Sequence, residues 1–361
     1  MGKFRLVEKL IEASIGSASA GRLILNEGKN GKFSTRAQMH LLLLKDFGTG
    51  KSSSVAEYLK DRRYVVPLTE FTYPGLVGSI DKNGDFNQGA LIEAAGKCLL
   101  IDEGQNLSEK ARDVMLSLLE EQYYSRSLGF AVRKEINDGN EFYSVNVKDG
   151  SISLAVRFSC IFLGMGMPRH YNRSYLYAWL SRFVPIRMVS GLQDVYKMVR
   201  GESLLRISRP KMMRGDFYFD DYLDYVDSHE ELVNSLPFKE KLMERNMAGF
   251  VARNVTDMAR FAAYLSWKES GKNKVLKSKW KEVLNYVPLV LRNYFFNDIS
   301  EREFEIYNLY SEGFKVYDIA REVGMDPSNV SKYLSSLREK GLINNEGKTI
   351  DEEVEEIVGS K

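Results

Sequence analysis

Two cysteines in 361 residues leave little scope for covalent or thiolate chemistry. Cys98 and Cys160 each sit in an apolar run, KCLLID and RFSCIFLG, which reads as buried core and not as a disulfide or zinc set. Charge of one sign is equally scarce. Lysine and arginine number 51 against 49 acids, a net charge of +2, so no bulk field draws a polyanion and any basic patch has to be local. No apolar run approaches the length of a membrane span. The start MGKFRLVEKL has no signal-peptide stretch and a poor lipidation context, so the expectation is a cytoplasmic chain without a membrane partner. Internal repeats and low-complexity segments are also missing. What is there, 44% hydrophobic and 28% charged residues, suits a globular chain of two or three domains.

Residues 4–15 are helix-like, and a Gly/Ser/Asn/Lys-rich stretch covers 16–34. The apolar run 39–44 stops at a Gly-rich turn and reads as a buried parallel strand, with a helix in SSSVAEYLKDRR behind it. Residues 65–68 and 97–101 supply two more strands; the second ends in Asp102-Glu103 and precedes a helix over 109–122. A β-rich stretch with turn signals at Asn137-Asp138-Gly139-Asn140 and Lys148-Asp149-Gly150 leads to a strand over 156–163. Strands alternating with helices predict a doubly wound α/β core, a parallel sheet over residues 1–200. Residues 201–296 read as a helical lid and 297–361 as a third, small unit.

The turn Gly48-Thr49-Gly50-Lys51-Ser52-Ser53 carries the first chemical signal. Successive N–H groups of such a loop make an anion nest at a helix N-terminus, where the helix dipole adds to the attraction. Lys51 reaches the β/γ phosphates of ATP and Ser52 ligates Mg²⁺. Lys45 stands where the common P-loop pattern has glycine, a residue that adopts positive φ more cheaply. Asp102 and Glu103 follow on an apolar strand about fifty residues later. That placement suits Asp102 to hold Mg²⁺ and Glu103 to polarise an attacking water.

HLLLLKDFGTGKS over 40–52, and GLVGSIDKNGDFNQGALIEAAGKCLLIDE over 75–103, resemble the minichromosome-maintenance (MCM) branch of AAA+ ATPases. The second segment is similar to that branch's hairpin inserted into a helix, followed by the Walker B strand. Leu180-Ser181-Arg182-Phe183 resembles the Ser-Arg-Phe motif of the arginine finger. Arg253 in ARNVTDMARFAAYL is similar to the sensor-2 arginine, with Arg260 seven residues on. The resemblance implies a P-loop AAA+ fold with a helical lid, and a ring, hexameric in this family. It also implies that Arg182 and Arg253 complete a neighbour's site by stabilising transition-state charge. Met167 stands where the family carries a polar sensor-1 residue, so no amide orients water there and the resemblance implies inefficient hydrolysis; Gly104-Gln105-Asn106 replaces the acidic segment that commonly follows the Asp-Glu pair. The sequence also lacks the family's N-terminal oligonucleotide-binding domain and zinc-binding cysteines.

Two hairpins per subunit move nucleic acid in these helicases. Here the first corresponds to residues 75–90, with Lys82 at its tip, and the second lies within 124–156, carrying Arg126, Arg133, Lys134 and Lys148. A tip cation tracks phosphate without reading bases. The last unit is an independent signal. Ser300-Glu301-Arg302-Glu303 is a capping box, and YDIAREVGMDPSNVSKYLSSLREKGLI resembles a winged helix-turn-helix. Its third helix, over 327–340, offers Ser328, Asn329, Ser331, Lys332 and Arg338 to a major groove, and 341–343 with 348–350 read as a wing.

The expected function is that of an ATP- and Mg²⁺-dependent DNA helicase or translocase in replication, acting as a ring homo-oligomer with DNA and other replication proteins, and nucleoid-associated. Two alternatives stay open: an AAA+ initiator or loader using ATP as an assembly switch, and a non-catalytic binding protein. Winged helices also serve as protein-interaction modules.

Overall fold

The computed structural model describes residues 5–28, 31–45, 63–83, 85–102, 106–127, 135–165, 178, 181–188, 209–244 and 247–359. Helix α1 (Arg5–Ser17) is amphipathic and buries Leu10, Ile11 and Ala13 completely. Gly16 is required in its last turn, because a Cβ there would meet the Tyr264 ring at 2.2 Å. Then come β1 (Ala20–Asn26), β2 (Lys32–Arg36) and β3 (Leu41–Lys45). The Gly/Ser/Asn/Lys-rich stretch thus contains β1 and the start of β2.

Beyond β4 (Val65–Pro67), helix α2 (Tyr73–Val77) starts at Thr72, whose hydroxyl accepts from the Gly75 amide, with Pro74 in the first turn where its missing N–H costs nothing. A short hairpin, β5 (Gly78–Ile80) and β6 (Phe86–Gln88), separates α2 from α3 (Ala90–Glu93). The expected hairpin between helical segments is present. At its tip the Asp81 carboxylate accepts from the Asn83 and Asp85 amides at 2.8 and 2.9 Å.

β7 (Cys98–Asp102) leads to α4 (Glu109–Glu121), capped by Ser108. An antiparallel sheet follows: β8 (Tyr123–Ser127), β9 (Ile136–Gly139), β10 (Tyr143–Lys148) and β11 (Ser151–Val156), in the order β8-β11-β10-β9. Lys148 pairs with Ser151 across Asp149 and Gly150, both at positive φ, so the turn has the twist that two-residue hairpins favour.

β12 (Ser159–Met165) and β13 (Val184–Met188) complete the central sheet. Its order is β13-β3-β12-β7-β4, and every pair is parallel. Leu41, Leu99, Ile101 and Ile161 are wholly buried, as expected where both faces of a parallel sheet are covered. α1 packs on β3 and β12. Cys98 and Cys160 lie in this core as free thiols.

β14 (Gly215–Phe219) is a strand within the segment read as helical. It pairs parallel with β1, whose other edge carries β2 antiparallel. The lid helices follow: α5 (Tyr222–Asn234), α6 (Lys239–Glu244), α7 (Ala248–Ser270), α8 (Lys277–Leu284) and α9 (Val287–Asn293), ending in a 3₁₀ turn, Tyr294–Asp298. α7 packs on α1 and α9 on β13, so these helices are fastened to the sheet layer.

The C-terminal unit consists of α10 (Glu301–Ser311), α11 (Val316–Val323), α12 (Pro327–Glu339) and α13 (Ile350–Gly359). Both hydrogen bonds of the Ser300–Glu303 capping box are present. Gly324, at φ 65°, ends α11 in the left-handed region, and the Asp326 carboxylate caps α12 through the Ser328 amide at 2.8 Å. The wing is reduced to one antiparallel bridge, Ile343 to Thr349, instead of the two short strands expected. Phe296 meets Phe304 and Tyr307 edge-on, and Arg292 pairs with Asp351 at 2.8 Å, so this unit is docked on the lid.

Candidate nucleotide site and nucleic-acid interface

Parallel strands deliver their carboxyl ends to one edge of the sheet, the edge where α/β folds bind ligands. Here that edge carries Lys45, Met165 and Asp102, the last residues of β3, β12 and β7. The register places Leu43 beside Leu163 and Leu163 beside Asp102. Asp102 therefore lies two strands, about 10 Å, from the backbone of β3. The C-terminal end of β3 and the half-buried Asp102 thus share one edge. Gly48, Thr49, Gly50, Lys51, Ser52, Ser53 and Glu103 lie outside the described residues, as do Met167, Arg133 and Lys134.

The opposite, amino-terminal edge holds Arg182, two residues before β13, and Arg253, in the first two turns of α7. The structure brings these distant arginines to one carboxylate, that of Glu120 near the C-terminus of α4. Glu120 Oε1 accepts from Arg253 Nη2 at 2.9 Å, and Oε2 accepts from Arg182 Nη2. Arg182 also donates to the Leu116 and Ala178 carbonyls at 2.9 and 2.6 Å, which fixes its guanidinium plane. Burial works against the Glu120 charge, but the Arg253 hydrogen bond and the Arg182 charge outweigh it and hold the carboxyl below its usual value. Burial lowers the Arg182 value, with Glu120 opposing.

Behind this pair is a feature no sequence motif marks. Arg36, the last residue of β2, is 8% exposed, and its Nη1 has no hydrogen-bond partner among the described residues. Burial first, and the Arg260 charge second, push its value well below that of an ordinary arginine. Arg260 itself is satisfied: it pairs with Asp257 and donates to the Arg36 carbonyl and the Thr35 hydroxyl, both at 3.0 Å. His40 completes the cluster as a neutral ring, its value held well down by burial and by Arg36 and Arg260. Among the described residues four arginines thus face two directly bonded carboxylates, with Glu121 acting on Arg182 from further off. An under-neutralised guanidinium group of this kind is chemically an anion site. Its sequence signal is only partly present: the arginine motifs contain Arg182, Arg253 and Arg260, whereas Arg36 and Glu120 become visible only in three dimensions.

Both expected hairpin regions present an exposed cation. Lys82 is exposed at the tip of β5–β6. Lys148 is exposed at the end of β10, in a loose 3.8 Å contact with Glu135. Arg126 lies over the Tyr73 ring at 5.3 Å, and Gln88 reaches Asp138 at 3.4 Å, so the two hairpin regions touch. Among the described residues no group of His, Cys, Asp or Glu could hold a metal ion, and no helix is long and apolar enough to cross a membrane.

On the C-terminal unit Ser328, Asn329, Ser331 and Lys332 are all exposed on α12, while Val330, Leu334 and Leu337 are buried beneath them. Ser331 donates its hydroxyl to the Pro327 carbonyl at 3.0 Å. The exposed ends of Asn329 and Lys332 remain available to a ligand. A comparison of the chain with curated proteins finds no match. A model of the bacterial regulatory protein arsR family does match residues 311–345, which span α11, the turn and α12 and reach the start of the wing. The chain carries, at its C-terminal end, a DNA-binding winged helix-turn-helix of the arsR type.

Proposed function

We propose that this protein is a P-loop AAA+ ATPase of the MCM-like kind, which assembles with copies of itself and uses ATP to move on duplex or unwound DNA. The observation that carries this reading is the separation of its charged groups between the two edges of one parallel sheet. The C-terminal end of β3, after which the Gly-rich segment follows in sequence, and Asp102 belong to the carboxyl edge; Arg182, Arg253 and Arg36 lie toward the amino edge. β3 alone spans about 13 Å between them. Arginines so placed cannot reach a phosphate on their own loop, but they suit a phosphate presented by a second copy.

The donor set fits ATP·Mg²⁺. Lys51 and the amides of residues 48–53 would hold the phosphates, and Ser52 and Asp102 the metal, which supplies charge neutralisation when bound. Glu103 would orient water. Arg182 is held by two backbone carbonyls, so its guanidinium plane is preset for the developing charge once Glu120 is exchanged. Glu120 occupies the arginines in the single chain, and a neighbour's phosphate would exchange with it. DNA would be held by the winged helix-turn-helix and tracked by Lys82, Lys148, Arg133 and Lys134.

Complementation tests the reading. Lys51→Ala and Arg182→Ala variants are each expected to be inactive in DNA-stimulated ATP hydrolysis. Mixed, they should recover about a quarter of the activity if sites are shared between two chains, since random pairing leaves that fraction of interfaces intact. No recovery would remove the shared site. ATP binding without turnover in the unmodified protein would point to the loader or the non-catalytic binder instead, and strand displacement would favour the helicase.

A further inference from the structure

We infer that Arg36 and His40 form an inner site for a small inorganic anion of the halide class, held within one chain behind the arginines assigned to a neighbour's phosphate. The site lies inside a single chain, so it does not depend on the shared-site reading. Its first element is Arg36, 8% exposed, whose Nη1 has no hydrogen-bond partner among the described residues. A buried guanidinium short of acceptors is costly, and an acceptor that brings negative charge removes the cost. The two carboxylates that act on Arg36 are engaged elsewhere. Asp257 pairs with Arg260, and Glu120 with Arg253 and Arg182. Arg260, which donates to the Arg36 carbonyl at 3.0 Å, adds a second positive charge against the same strand end.

The second element is His40, 2% exposed, whose two ring nitrogens also lack partners among the described residues. Phe158 and Phe183, with ring centroids 6.0 and 6.1 Å from that of His40, give the site an apolar wall. The Leu119 carbonyl lies beside the imidazole without a well-formed hydrogen bond to it. The neutral ring has one N–H, and an anion next to Arg36 would draw it more strongly than a carbonyl does. Charge sets the valence. Among the described residues of the buried part, Arg36 and Arg260 face Asp257 alone, which leaves one positive charge for one monovalent anion. Enclosure sets the size. Arg182 and Arg253 stay partly open to solvent and can meet a phosphate from outside, whereas Arg36 and His40 are sealed. Stripping water from a doubly charged phosphate costs more than stripping it from a halide.

The test uses the full chain without nucleotide, melted in sodium gluconate that is replaced stepwise by chloride, bromide or inorganic phosphate at a constant ionic strength of about 0.15 M. Chloride and bromide should raise the melting temperature saturably, by about 5 °C at a hundredfold excess over the dissociation constant. Arg36→Met should abolish this response. Arg182→Lys, which keeps the outer charge but alters its fork, should retain it. Anomalous scattering from bromide in crystals of the unmodified chain gives a second readout that no variant's folding can confuse. It should place one bromide in contact with Arg36 Nη1. An equal halide response in Arg36→Met would overturn the inference. So would bromide found only at exposed side chains with a flat melt, which means an adventitious ion only. Stabilisation by phosphate and not by halide would overturn it as well, and would return Arg36 to the neighbour's phosphate. None of these outcomes touches the complementation of Lys51→Ala by Arg182→Ala, so the two readings fail separately.

Discussion

Glu303 offers a sharp perturbation, because one 6% exposed carboxylate ties together both ends of the DNA-binding unit. Its Oε2 accepts from the Ser300 amide at 2.7 Å, closing the capping box of α10. Its Oε1 accepts from the Ser336 hydroxyl and from Lys340, each at 2.7 Å, at the C-terminal end of α12. Losing the cap costs about 1 kcal/mol, and stranding a buried cation partner costs about 3 kcal/mol at the low end of measured cases. Lys340 is only a quarter exposed, so solvent relieves part of that second cost. Glu303→Ala should destabilise the unit by about 3 kcal/mol, and Glu303→Gln, which keeps shape and loses charge, by about half that. Hydrogen exchange of amides in α10 and α12 isolates this unit from the rest of the chain. Protection there should fall roughly 100-fold in the alanine variant. The pH dependence has a defined sign. Burial opposes the charge, but the Lys340 hydrogen bond outweighs it and holds the carboxyl below its usual 4.5. The stabilisation is therefore complete above 4.5 and is lost as pH falls through the lower folded-state value. After correction for intrinsic exchange, the Gln variant should show no such loss. A less than threefold change in protection for Glu303→Ala would refute the reasoning.

Two further outcomes follow from buried groups. Asp257→Asn leaves Arg260 charged and 7% exposed beside the buried Arg36, and should cost about 3 kcal/mol or more, lowering the melting temperature by roughly 10 °C; an unchanged melt would mean that the cluster is solvated. Cys98 and Cys160 should resist a thiol reagent at about pH 8 until the chain is unfolded. Burial pushes the Cys98 thiol up to about 12 and holds Cys160 well above an ordinary thiol, so neither supplies thiolate in the folded protein.

Local order set by neighbouring residues is legible in the sequence itself. The apolar runs became β3, β7 and β12, the Ser108–Gln122 region became α4, and the Ser300 box and the Gly324 and Asp326 signals bounded α10, α11 and α12 within a residue or two. Each depends on hydrophobic period or on a cap, interactions that reach only a few positions along the chain. Three other features depend on partners far away in sequence. β14 escapes a reading of local pattern because its pairing partner, β1, lies almost two hundred residues earlier and its own sequence is short. The wing shrinks to a single bridge because α13 and its acids hold the returning strand. Above all, no pattern could place Arg36, Glu120, Arg182 and Arg253 together. Strand order and the reversal of α4 against β7 set them on the edge opposite Asp102, and that spatial division is a property of the tertiary fold alone.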